Sequence, residues 1–368
     1  MEVNLNEDQT MLQDMTRRFL EDRSPITVLR KQADAGESFD RATWSEAVEL
    51  GWVALFVPEA HGGIAEAAGG VMDAAIVAEE LGRVVYSGPF LSTCVVADAI
   101  ARSGSAAQQE RWLPALASGE ALAAWAFAGK GPQAGIAPGS VTAEKSGDGW
   151  KLGGMAAYVE DAASADVLLV STADAQFLVP AGTAGMTIEP MEALDLGKRL
   201  SIVRFDGAQL GADALLDGGP DAFEKQLQVA LALQCAETVG VTDRAFEFTL
   251  EWVNERHAFG RPIGSFQALK HRLADHVANL EGAKAAAAYA ARAVASDAPD
   301  AAIAVSAAKS HCGTSATEII RDCLQMHGGI GLTWEHDIHF YLRRAVSNEA
   351  LWGSPAIHHE RLCQLAGI

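Results

Sequence analysis

Arg256-His257-Ala258-Phe259-Gly260-Arg261-Pro262-Ile263-Gly264-Ser265-Phe266-Gln267 joins two long runs of helical periodicity. Upstream, Val241, Ala245, Phe248 and Trp252 recur at helical spacing along what reads as one helix over 223–257, roughly 50 Å long at about 1.5 Å per residue. Downstream, Leu269, Leu273, Val277 and Leu280 define a second helix, which starts after the break at Pro262 and Gly264 with Ser265 as its expected N-cap. Arg256 falls in the last turn of the first helix, and the next helix opens its positive end close by. An anion could sit between them, with glycine backbone near it. The plainer reading is a cationic helix end, favourable with the dipole, followed by a turn.

Working outward, Val305, Ile319, Cys323 and Met326 fall in a third helix, which ends on Gln325-Met326-His327-Gly328-Gly329-Ile330-Gly331. One glycine suffices to cap a helix, so three here suggest close approach of backbone to a flat or phosphorylated group. Tyr341, Ala345 and Asn348 mark a shorter fourth helix. Long helices with short connections predict an antiparallel four-helix bundle over 221–368. Its Ala-rich, many-sided apolar surface suggests burial against another subunit. Before it, 121–220 carries short apolar runs at 150–152, 167–170, 176–179, 186–188 and 202–205 between turn residues. That pattern predicts a β-sandwich or small barrel. Residues 1–120 return to helical spacing, as at Met11, Leu12, Met15, Phe19 and Leu20. The fold class is therefore α+β: an N-terminal helical domain, a middle β domain and a C-terminal bundle.

With 28 Lys and Arg against 48 Asp and Glu the chain carries a net charge of −20, which argues against nucleic acid and anionic membranes as partners. The N-terminus MEVNLNEDQT has no basic or apolar signal region, and the apolar run 84–97 is interrupted by Gly88 and Pro89. A cytoplasmic location is expected. Five scattered cysteines without a C-x-x-C pair read as reduced thiols, most simply small core residues. His336-x-x-His339 and His358-His359 lack the further ligands a zinc site needs, so no metal is expected.

Taken together, the Arg-x-x-Phe-Gly block ending on Gln267 and the later Gln-x-x-Gly-Gly-x-Gly resemble the C-terminal domain of the acyl-CoA dehydrogenase family. The resemblance covers the chain in domain order and size, strongest over 237–331. It implies FAD shared across a subunit interface. One subunit's β domain holds the isoalloxazine, and its neighbour clamps pyrophosphate and adenosine. The implied clamp residues here are Arg256, Phe259, Gln267, Gln325, Gly328 and Gly329. It also implies an acyl-CoA substrate and electron-transfer flavoprotein as acceptor.

The rest of the family pattern departs. The family's Thr-Glu-Pro-type loop reads Ala128-Gly129-Lys130-Gly131-Pro132, and its Trp-Ile-Thr stretch reads Tyr158-Val159-Glu160. Glu160 would then face the flavin with a carboxylate in place of a hydroxyl. The family's general base, a Glu in Tyr-Glu-Gly-Thr, corresponds to Trp352 in Leu351-Trp352-Gly353-Ser354, and an indole accepts no proton. The alternative base position on the long helix is Ala230, followed by Leu231 where an Arg commonly meets acyl-CoA. Substitute bases are Glu237, about two turns along from Ala230, and Glu349. Their plainer readings are a buried carboxylate paired with Arg and a surface charge near Arg343 and Arg344.

Three functions follow. The chain could be a subunit that lends the FAD clamp to a complementary catalytic subunit, resembling paired enzymes that desaturate steroid side-chain thioesters. It could be a self-sufficient homo-oligomer using Glu237 or Glu349, or a flavin-free scaffold. A flavin oxidase or monooxygenase is a further alternative.

Overall fold

The computed structural model describes residues 5–35, 39–65, 70–129, 136–219 and 221–368. Helices come first: α1 (Glu7–Arg23), α2 (Ile26–Ala35), α3 (Arg41–Glu49), α4 (Val71–Arg83), α5 (Phe90–Ser103) and α6 (Ala106–Ala117). α1 and α6 each open on a capping box, Asn6 with Gln9 and Ser105 with Gln108, which satisfies two otherwise unpaired N–H groups reciprocally. The apolar run 84–97 divides at Pro89: residues 84–89 connect α4 to α5, and residues 90–97 form the start of α5, which is buried along most of its length. No helix among the described residues is long and apolar enough to cross a membrane.

Two four-stranded sheets follow. One has the order β1-β4-β5-β8, from β1 (Ala123–Ala126), β4 (Val167–Ser171), β5 (Gln176–Pro180) and β8 (Leu215–Leu216). The other has the order β2-β3-β7-β6, from β2 (Val141–Ser146), β3 (Gly149–Glu160), β7 (Leu200–Leu210) and β6 (Met186–Pro190). Their inner faces meet in one apolar core that includes Leu168, Val170 and Phe177 with Leu152, Val203 and Phe205. All five short runs anticipated from the sequence lie in strands, but β3 is much longer than 150–152. Its register against β7 shifts between Ala156 and Val159. That irregularity releases Tyr158 at a left-handed φ of 57°, the way a bulge re-aims a side chain beside a site.

The remaining chain is helical apart from a small hairpin of β9 (His257–Ala258) and β10 (Arg261–Pro262) after the first helix: α7 (Ala222–Glu255), α8 (Gln267–Ala295), α9 (Ala301–His327), α10 (Ile338–Ala350) and α11 (Pro355–Ala366). α7 is buried on nearly every side between Ala222 and Thr242, packed against α4, α5, α8, α9 and α10. Its all-round apolar face therefore serves the chain's own core. α4 and α7 cross backbone to backbone. A Cβ on Gly240 would lie 1.8 Å from the Glu79 carbonyl oxygen, and one on Gly82 would lie 2.1 Å from that of Glu237.

Two details differ from the sequence reading. Ser265 does not cap α8. Its hydroxyl turns back to donate to the Pro262 carbonyl at 2.7 Å, within a single 3₁₀ turn, and α8 begins at Gln267 with no side-chain cap. A further helix, α11, follows the four expected. It is short, starts with Pro355 in its first turn and packs on α9.

Candidate active site

A cavity of about 470 Å³ opens where the end of β1, the irregular part of β3 and the α10–α11 turn meet. Trp125, Phe127, Tyr158, Leu351, Trp352 and Ile357 wall it. The rings of Trp125 and Phe127 lie 4.2 Å apart, and those of Trp125 and Trp352 lie 6.3 Å apart. The structure thus joins Tyr158, matched to the Trp of the family's Trp-Ile-Thr stretch, and Trp352, matched to the general base. Ala128 lies on the same wall, whereas Lys130, Gly131 and Pro132 fall outside the described residues.

Each tryptophan is held by buried polar groups. The Trp125 indole donates to Ser171 Oγ at 3.1 Å. Ser171 also accepts from Gln176 at 2.7 Å, and Gln176 pairs its amide with that of Gln226 on α7. Trp352 occupies a left-handed φ of 58°, which is unfavourable for a bulky residue unless its surroundings impose it. Lys309 Nζ donates to the Leu351 carbonyl at 2.8 Å, to Gln234 Oε1 at 2.5 Å and to the Asn348 carbonyl. It thereby supplies a buried cation at the C-terminus of α10, where the dipole is negative. His358 Nε2 donates to the Trp352 carbonyl at 2.9 Å. Burial depresses both groups, Lys309 to about 8 and His358 to about 4.

Beside this cavity lies a closed cluster of charge. Glu160 does not present a free carboxylate, because Lys198 pairs with it at 2.6 Å. Lys198 lies 3.6 Å from Glu237, and Glu237 accepts from Arg344 at 2.7 Å and from Asn348 at 2.8 Å. Arg344 also binds Asp195 and the Tyr86 carbonyl. The space left among these groups is about 20 Å³, enough for one water at most. Burial pushes the Glu237 carboxyl up, but Lys198, Arg344 and Asn348 outweigh it and hold the group below the usual carboxylate range. Burial likewise opposes the charge on Lys198, and Glu160 and Glu237 overcome it.

Neither substitute base lies on the cavity wall. Both oxygens of Glu237 are engaged. Glu349 accepts from Thr317 at 2.5 Å at the α9–α10 contact. Ala230 and Leu231 are sealed in the core. Sequence reasoning missed Lys309, Lys198 and Arg344 as organising groups. Two signals were present: a lone lysine in the Ala-rich run that begins α9, and an arginine three residues after Tyr341, on the buried stripe of α10.

The other residues singled out gather at the far ends of α7 and α9. Trp252 bridges these ends: its indole donates to the Met326 carbonyl at 3.3 Å and its ring lies 5.1 Å from His327. The Arg256 guanidinium sits over Trp252 at 5.7 Å. Phe259 is 95% exposed at a φ of 54°, its ring perpendicular to that of Phe266 at 6.2 Å. Gln267 and Gln325 are exposed, and a Cβ at Gly328 or Gly329 would meet nothing. Gly328 has φ 65° and ψ −141°, a conformation essentially confined to glycine. The histidine pairs diverge. His336 accepts from the Ile338 N–H while His339 stacks on Trp334, and His358 faces inward while His359 meets Ser310.

This arrangement has known counterparts. The family model for the acyl-CoA dehydrogenase N-terminal domain matches residues 6–120, and that for the C-terminal domain matches residues 217–364. Acyl-CoA dehydrogenase IpdE2 of Mycobacterium tuberculosis is 30% identical, over 95% of this chain and 94% of its own length. A solved variant of the Tcur3481-Tcur3483 steroid acyl-CoA dehydrogenase superposes with a TM-score of 0.89 at 31% identity, covering 98% of both chains. The ChsE4-ChsE5 complex from Mycobacterium tuberculosis superposes with a TM-score of 0.89 at 26% identity, covering 100% of this chain and 99% of that one. With both terminal segments matched and this identity sustained along the whole chain, the protein belongs to the acyl-CoA dehydrogenase family.

Proposed function

We propose that this chain is the complementary subunit of a two-component acyl-CoA dehydrogenase, lending the outer half of an FAD site to a partner that carries the general base. The observation that carries this reading is an asymmetry between its two ends. Where the family places its base, the chain has a clamped indole, and where it places a hydroxyl against the flavin, Glu160 is consumed by Lys198 in a closed cluster. At the other end Arg256, Phe259, Gln267, Gln325, Gly328 and Gly329 stand exposed.

The fit to FAD differs accordingly. The exposed end suits a pyrophosphate: Arg256 supplies charge, and the missing side chains at Gly328 and Gly329, whose surroundings are open, allow close approach to the backbone. Phe259, Gln267 and Gln325 would be the further residues to hold the nucleotide. Bound FAD would supply the oxidant that takes two hydrogens from the α and β carbons of an acyl-CoA. Two solved relatives are complexes of two differently named chains, one of them a steroid acyl-CoA dehydrogenase. The reading extends their pairing, and an acyl thioester on a steroid side chain, to this chain, with electron-transfer flavoprotein as acceptor. Among the alternatives, the self-sufficient enzyme is disfavoured because neither Glu237 nor Glu349 faces the aromatic cavity.

The test is flavin stoichiometry after gel filtration. The chain alone should be colourless, and co-expression with a base-carrying family member should give a yellow complex. Arg256→Ala should cut the bound FAD by about tenfold or more, the scale of a lost charge-assisted contact, with the complex intact. Near-stoichiometric flavin on the isolated chain would sink the reading. An unchanged flavin content in the Arg256→Ala complex would favour the scaffold.

A further inference from the structure

We infer that the Trp125–Phe127–Tyr158–Trp352 cavity is a non-catalytic binding site for a flat, neutral, apolar ring system. The inference rests on the proposed function in one respect, that isoalloxazine is not held in this chain's own half-site.

Three observations carry it. The first is shape: about 470 Å³ falls within the range of small-molecule sites, and four of the side chains that line it are aromatic rings, which favour a flat guest over a flexible chain. The second is chemistry. Among the described residues no charged side chain lines the cavity, and its polar side-chain groups are the hydroxyls of Tyr158 and Ser354 and the indole N–H groups of the two tryptophans, that of Trp125 being given to Ser171. A charged head group would lose its hydration there without repayment, and isoalloxazine, with its carbonyls and ring N–H, would find few partners. The third is rigidity. The two tryptophans are fixed by separate buried networks, Ser171–Gln176–Gln226 for Trp125, and Lys309 with His358 for Trp352. The left-handed backbone at Trp352 is the strain that Lys309 and His358 hold in place. Aromatic walls held this way bind without an ordering cost. A cavity merely left behind by loss of the base would need none of this. Lys309 and His358 act through Trp352 and are positioning residues.

The probe is dehydroergosterol, a fluorescent neutral sterol that accepts energy from tryptophan, titrated from cyclodextrin into the full-length chain. Saturable energy transfer is expected, with riboflavin unable to compete. Trp352→Ala should weaken binding by about tenfold or more, from the loss of one buried ring face, while Trp352→Phe stays close to wild type. Absence of saturable transfer, displacement by riboflavin, or an unchanged affinity in a folded Trp352→Ala chain would each overturn the inference. If Trp352→Ala fails to fold, the riboflavin competition on the wild type decides. Flavin in the co-expressed complex is measured separately. Lost sterol binding with that flavin retained refutes this inference alone. Sterol binding with no flavin in any complex supports it while refuting the clamp.

Discussion

Glu237 shows how much a single side chain depends on its neighbours. On α7 it is a carboxylate near the position of an alternative base, but folding surrounds it with Arg344, Lys198 and Asn348. Removing one member of such a buried set strands the others. Glu237→Ala should therefore cost about 3–5 kcal/mol, read as a lower midpoint in denaturant with an unchanged slope. Because its folded carboxyl titrates below the ordinary value, the stability it contributes is present above the unfolded value and is lost as pH falls through the folded one. A Glu237→Gln chain that kept its stability but abolished turnover of the co-expressed complex would restore Glu237 as a base. Trp352 teaches the converse. The resemblance set an indole at the family's base position from Leu351-Trp352-Gly353-Ser354 alone, whereas the groups that clamp Trp352 come from α9 and α11, and no local pattern announces them.

At the scale of elements, the crossing of α4 and α7 sets the geometry of the charged cluster. Gly82 and Gly240 allow the two backbones to touch, which brings α4 and the turn after it, with Tyr86, against the Arg344 and Glu237 pair. A methyl group at Gly240 has nowhere to go, because the obstructing atom is a carbonyl oxygen of α4. Gly240→Ala should destabilise by about 3 kcal/mol or more, the upper end for overpacking, seen as a lower melting temperature or loss of soluble expression. The elements themselves were largely readable. α7, α8 and α9 follow from apolar spacing, and all five short apolar runs became strands. The misses were of two kinds. Ser265 had the residue type of an N-cap but used its hydroxyl on Pro262. α11 is one short helix whose packing partner, α9, lies far back in the sequence.

For the whole molecule, buried titrating groups pull in opposite directions. His327 and His358 are depressed from an ordinary 6.5 to about 4, burial being the main cause in each. Between those values the unfolded chain binds more protons, so they make stability rise with pH. Glu79 is raised by burial from 4.5 to about 7, and Asp161 by burial from 3.8 to about 6. Over those ranges the folded chain binds more protons, so they make stability fall with pH. Burial also depresses His276, His336 and His339 and raises Asp98, so the two sets oppose each other and wild-type stability should change less steeply between about pH 4.5 and 6.5 than the histidines alone would make it. Glu79→Gln removes one opposing slope and should leave a stability that rises with pH there, measured by denaturant unfolding at several pH values. A wild-type curve as steep as that of the variant would sink this balance.

The sequence by itself determined the order of helices, sheets and bundle, because apolar periodicity is a local property that burial must respect. It pointed to the family through two short motifs, and the resemblance set Trp352 and Glu160 where the family carries its base and its flavin-facing hydroxyl. Only the tertiary structure decided what surrounds these residues. Tyr158 and Trp352 meet at one cavity, Glu160 and Glu237 are neutralised in a closed cluster, and Arg256 and Gly328 share an exposed end of the bundle. Each of these depends on contacts between residues far apart in the chain. Desolvation and pairing act on the side chains that folding brings together, and residue type and spacing do not encode that neighbourhood.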